Sequence, residues 1–195
     1  MVAAERTDDV GRGLHARLGD DPTRDPDAAS ARAIVVMGVE GSGKSTVAHA
    51  LAERLGYVYL DADWLHSTAN REKMASGEPL DDDDRMPWLR AVGERMRDET
   101  DVGRGSATAC SALKLAYRDV LRSYVPSAYF VYLAGPIDVV RARLAHRSHE
   151  FMPKSLLDSQ YATLEPLGAD EAGRTLDLRL SPDALVDAVV ASLFG

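Results

Sequence analysis

Among 195 residues there is a single cysteine, Cys110, so no internal disulfide can brace the fold and a reducing compartment suits the chain. No apolar run approaches the length of a membrane span, and the stretch after Met1 lacks the apolar core of a signal sequence. Positive charge is also scarce: 23 Lys and Arg stand against 31 Asp and Glu, a formal net charge of −8. That balance argues against nucleic acid or an anionic membrane as the main partner, while local cation clusters can still receive a small anion. These absences predict a soluble, cytoplasmic protein. No internal repeat is present, and the length suits one domain with a three-layer core and a small inserted lid.

Residues 1–30 are polar and rich in aspartate, with too little apolar content to fold alone. They are expected to form a disordered extension, leaving one domain over 31–195.

The best-defined stretch is Gly38-Val39-Glu40-Gly41-Ser42-Gly43-Lys44-Ser45-Thr46, which fits G-x-x-x-x-G-K-[S/T]. Before it, Ala33-Ile34-Val35-Val36-Met37 is an apolar, β-branched run of the kind that forms a strand covered on both faces. After it, Val47, Leu51 and Leu55 recur every four residues up to Gly56, a helical stripe with a C-terminal glycine. Strand, glycine-rich turn and helix together make a phosphate-binding loop. Its backbone N–H groups turn inward around a polyphosphate, with the positive end of the helix facing the same oxygens. In such a loop Lys44 reaches the β- and γ-phosphates and the Ser45 hydroxyl ligates Mg²⁺. Glu40 is an uncommon residue there, but its position contributes a backbone N–H, so little effect is expected from its side chain.

Beyond the loop, Tyr57 to Asp63 reads as a short strand that brings Asp61 and Asp63 to its carboxyl end, where open α/β sheets bind ligands. Asp63 is the candidate acceptor-side base and Asp61 a candidate to hold a water of the Mg²⁺ shell; capping of the next helix is the competing role for both. His66, taken alone, reads as a structural histidine. Asp81 to Asp84 suit a helix N-terminus better than a metal nest, and Pro87 is expected at the first helical position. Ser106 to Cys110 reads as a weak strand of small residues, and Cys110 as an apolar filler. A helix from about Leu113 to Tyr124, a strand from Tyr129 to Leu133, a helix opened by Pro136, and a strand from Leu176 to Leu180 follow. Ser181-Pro182-Asp183 then caps a last helix. Between Ser148 and about Gly173, two short helical pieces are expected. Arg143 and Arg147 share one helical face, either as phosphoryl-facing cations of a lid over about 143–170 or as a solvated basic face. The alternation of strands and helices predicts an α/β fold with a mostly parallel sheet of about five strands.

Several runs together resemble the thermoresistant, phosphate-binding-loop gluconokinase family. They are the loop itself, Leu60-Asp61-Ala62-Asp63-Trp64-Leu65-His66, Asn70 to Leu80 with Asp82-Asp83-Asp84-Arg85 and Pro87-Trp88-Leu89, and Cys110-Ser111-Ala112-Leu113-Lys114 with Tyr117-Arg118. Phe151-Met152-Pro153, Ser159-Gln160 and Thr163-Leu164-Glu165-Pro166 are similar as well, whereas His149-Glu150 departs from the usual Gly-His pair. The resemblance implies a fold like that of nucleoside monophosphate and shikimate kinases. It also implies ATP- and Mg²⁺-dependent phosphorylation of D-gluconate at its 6-hydroxyl, and a homodimer. By the same resemblance Asp63 holds and activates the acceptor hydroxyl. Arg85, Arg71, Lys73 and His66 receive the carboxylate and remaining hydroxyls, Ser111 and Lys114 border substrate and γ-phosphate, and Arg143 also covers adenine. A shikimate or nucleoside monophosphate kinase, and a nucleotide-binding sensor without turnover, are the rival readings.

Overall fold

The computed structural model describes residues 32–145 and 154–194. The extension expected over 1–30, Arg147, and the His149-Glu150 pair lie outside these residues.

The central strand is β1 (Ala33–Met37), fully buried, as its unbroken apolar run requires. Alternation sends its side chains into two cores. Ile34 and Val36 pack on one face beneath α1 (Lys44–Leu55) and α7 (Pro182–Phe194); Ala33, Val35 and Met37 pack on the other beneath α3 (Asp82–Asp101) and α4 (Leu115–Tyr124). The other strands are β2 (Val58–Asp61), β3 (Ser106–Ala109), β4 (Tyr129–Ala134) and β5 (Gly173–Asp177). They assemble in the order β2-β3-β1-β4-β5 with every pairing parallel, completing a three-layer α/β sandwich. Helices α2 (Thr68–Ala75), α5 (Ile137–Ala145) and α6 (Lys154–Thr163) gather around the carboxyl ends of the strands. Among the described residues no helix is long and apolar enough to cross a membrane.

The small residues of β3 find their reason here. The strand lies between β1 and β2, so it is held by pairing on both sides, and Ala107 and Ala109 let α1 approach through Val47, Ala48 and Leu51.

Two expectations need correction. Pro87 does not open α3 but sits inside it, because Asp81 and Asp84 form a reciprocal capping box that starts the helix at Asp82. The helix forgoes one intrahelical bond at Pro87, close to its N-terminus. The last strand ends at Asp177 rather than Leu180: the Asp177 carboxylate accepts the Arg179 N–H at 2.8 Å and turns the chain, leaving Leu180 exposed. One of the two helical pieces expected between Ser148 and about Gly173 is α6; residues 148–153 of that stretch lie outside the described residues. Pro182 does open α7, with Ser181 Oγ accepting from the Ala184 N–H at 3.3 Å.

Candidate active site

The loop between β1 and α1 leaves the helix without a side-chain cap, since Gly43 at the cap is left-handed (φ 102°). The first N–H groups of α1 thus remain available to an anion. Gly41 is left-handed too (φ 77°), and a Cβ there would meet Leu144 of α5 at 2.9 Å, so only glycine fits between loop and helix. Lys44 is almost buried and donates to the Val39 carbonyl at 3.1 Å, with Glu40 Oε2 3.8 Å away. The Glu40 side chain therefore faces the site. Its N–H goes to Gln160 Oε1 of α6 at 2.7 Å, joining the loop to a helix 120 residues later.

Across from Lys44, β2 ends in a 3₁₀ turn, Ala62–Leu65. Asp61 does cap this turn, accepting the Asp63 N–H on Oδ1 at 3.1 Å, but its Oδ2 accepts the Tyr59 hydroxyl at 2.8 Å. Burial and the neighbouring Asp61 push the Tyr59 phenol up to about 12, so it stays a donor. Ser45 lies exposed in the first turn of α1. Ser45 and Asp61 offer hard oxygen donors of the type Mg²⁺ takes, and thus fit the ion expected beside a triphosphate.

Asp63 and Lys44 line one cavity of about 500 Å³ with Glu40, His66, Arg85, Ser111 and Gln160. His66 is buried and stacked on Trp88, with ring centroids 4.3 Å apart at 12°, while Trp88 Nε1 donates to the Ala62 carbonyl at 2.7 Å. Asn70 Nδ2 stands 3.5 Å from His66 Nδ1, which assigns the proton to Nε2, 3.8 Å from Asp63 Oδ1. Burial first, then Arg85 and Arg71, push His66 down to about 4, so the ring is neutral at physiological pH. The unfolded chain takes up this proton near pH 6.5, as a free histidine does, and the folded chain only near 4. Stability is therefore expected to fall as pH drops through this window. In urea titrations at stepped pH, His66→Phe, which keeps the stack on Trp88, should show a shallower loss than the parent chain.

A second cavity adjoins the first, sharing Arg85 and Gln160. Lys114 lines it, bound to both oxygens of Asp82 at 2.7 and 2.8 Å. Lys73 lines neither; it pairs with Asp84 at 2.5 Å and Asp81 at 3.4 Å, securing the start of α3. Arg71 also stays off both linings while acting on the charge of His66. On the far side of the loop a third cavity of about 390 Å³ is lined by Gly41, Ser42, Gly43, Thr46, Leu180 and Pro182. Arg143 belongs to this side, donating to the Ser42 carbonyl at 3.2 Å and the Leu178 carbonyl at 2.6 Å. The structure thus brings Lys44, Asp63, His66, Arg85 and Ser111 together, and sets Arg143 apart from them.

The thermoresistant gluconokinase of Escherichia coli (strain K12) is 46% identical to this chain over 158 residues, covering 81% of this chain and 89% of its own. The chain belongs to the gluconokinase family. A family model described as an AAA domain matches residues 34–167. The crystal structure of a gluconokinase from Sinorhizobium meliloti 1021 superposes with a TM-score of 0.77 at 43% identity, covering 84% of this chain and 91% of that one. The shikimate kinase of Aquifex aeolicus vf5, with TM-score 0.56 and 18% identity over 83% and 97% of the two chains, shares the fold. The fold is therefore that of the phosphate-loop kinases, and this gluconokinase-family chain is an enzyme of that class.

Two site residues received no role from the sequence. Gln160 belongs to a run that carries the family resemblance, but nothing near it in the chain points to its partner, which lies 120 residues earlier. Tyr59 had a local signal: the strand period of two puts it on the same face as Asp61.

Proposed function

We propose that the chain transfers the γ-phosphoryl group of ATP to the 6-hydroxyl of D-gluconate, giving 6-phosphogluconate and ADP. The observation that carries this reading is the cavity in which Lys44 of the phosphate loop faces Asp63, His66, Arg85 and Ser111. A guanidinium suits a carboxylate through paired parallel hydrogen bonds, and Arg85 supplies it; Ser111 and the neutral His66 offer hydrogen bonds to a polyol. Asp63 orients the acceptor hydroxyl and takes its proton late, as a loose transition state requires. Lys44 neutralises charge on the transferred group, and the loop N–H groups hold the phosphates. Ser45 and Asp61 would hold Mg²⁺, which when bound offsets phosphate charge. The third cavity suits the nucleotide base, covered by Arg143 beside Leu180 and Pro182.

The test is ATP- and Mg²⁺-dependent phosphorylation across gluconate, other sugar acids, shikimate and nucleoside monophosphates, with the product position read by NMR. Selective 6-phosphogluconate formation is expected. Transfer to another acceptor in preference, or ATP binding with no transfer to any, overturns the reading.

A further inference from the structure

A cavity that receives a polyphosphate and a sugar acid should be rich in cations, yet the charged groups that line it are Lys44 and Arg85 against Glu40, Asp63 and Glu78. Asp63 has the acceptor hydroxyl to serve. No such duty explains Glu40, whose Oε2 lies 3.8 Å from Lys44 Nζ. The Lys44 side chain is 10% exposed and that of Glu40 33%, so solvent weakens this pair without abolishing it. The ammonium also donates to the Val39 carbonyl at 3.1 Å. Its charge is thus already answered by oxygens of the loop itself. The root of the Glu40 side chain is held in turn, because its N–H donates to Gln160 Oε1 at 2.7 Å and ties this corner of the loop to α6.

Two negative groups cannot share one ammonium without repelling each other. A β- or γ-phosphate that reaches Lys44 must displace the Glu40 carboxylate or sit beside it, and either way the like charge opposes binding. The α-phosphate lies outside this contest, since the lysine of such a loop serves the β- and γ-phosphates.

We propose that Glu40 is an internal competitor for Lys44, a positioning residue whose carboxylate holds the loop cation until phosphate replaces it and which thereby sets the affinity for nucleoside di- and triphosphates. The proposal rests on the reading of the loop as the ATP site. It gives the Glu40 side chain a part beyond the backbone N–H that its position contributes. Turnover gains from the arrangement: once the phosphoryl group has moved, the carboxylate stands ready to retake Lys44 as ADP leaves.

The experiment is calorimetric titration of the full chain with AMP, ADP and ATP, with and without Mg²⁺, at low and high KCl. Glu40→Gln keeps the shape of the side chain and removes its charge. Glu40→Ala removes the charge and offers phosphate no new donor. Both variants are expected to bind ADP and ATP about 10-fold more tightly than the parent at low salt, with AMP affinity unchanged. The gap should narrow as KCl rises. Parental or weaker ADP and ATP affinity in both variants overturns the proposal, while ATP binding by the parent leaves the loop reading standing. Tightening in Glu40→Gln alone traces the gain to the new amide donor, and tightening shared by AMP reports a general change in the loop; either overturns the proposal. A parent chain that binds neither ADP nor ATP overturns the reading of the loop together with it.

Discussion

Asp63→Asn is expected to lower kcat for gluconate phosphorylation by about 10²–10⁴-fold, the usual reach of a positioned acid–base group. The KM for ATP should stay near that of the parent chain. Asparagine keeps the shape of the side chain and its ability to orient a hydroxyl, but it cannot accept the proton. Asp63 sits in the 3₁₀ turn that follows β2, across the cavity from Lys44 and outside the phosphate loop, so nucleotide contacts should survive. A variant with near-parental kcat and a raised KM for gluconate would reduce Asp63 to a binding group. Single-turnover phosphoryl transfer in a quench-flow instrument separates the two outcomes.

The second large effect concerns stability. Arg118 of α4 is buried (1% exposed), and its guanidinium meets the nearly buried Glu171 with two bonds of 2.6 Å. It also donates to the carbonyls of Ala112, Leu113, Glu165 and Pro166. One side chain thus joins the turn after β3, which carries Ser111, to the segment that follows α6. Those bonds hold the Glu171 carboxyl down at about 2. Removing one partner of a buried pair strands the other, which typically costs about 3–5 kcal/mol. Arg118→Met should fall near the low end, since Arg122 still reaches Glu171 at 2.8 Å. The urea midpoint of the variant is the measurement. Adding Glu171→Leu should recover part of the loss, because the stranded charge is then gone.

The parts of this chain that could be read from the sequence are those set by neighbours along it. Strand, loop and helix from Ala33 to Gly56 obey local rules, and the structure keeps their boundaries. Asp63 was legible because strand ends in parallel sheets face the ligand side. Tertiary pairing was not legible. Lys73 and Lys114 carried the same promise in the sequence as Arg85, yet carboxylates 8, 11 and 32 residues away engage them. The Asp81–Asp84 box displaced Pro87 from the helix start because two reciprocal caps outweigh a proline preference that also tolerates the first turns. Arg143 shows the same limit: its helical spacing was clear, but only the packing of α5 against the phosphate loop decides which side of the loop it serves.

Cys110 lies at the end of β3, fully enclosed, its N–H donated to the Val36 carbonyl at 3.1 Å, and burial pushes its thiol up to about 12. A thiolate is the reactive species, and this one is both inaccessible and unformed while the sheet stays closed. The chain has no other thiol to blur the signal. Alkylation by a thiol reagent therefore counts openings of the strand beside Ser111 and Lys114, one molecule at a time and without any attached label. Bound ligands that hold that strand shut would register as protection from modification, so occupancy of the acceptor cavity can be followed by mass alone, in the absence of turnover.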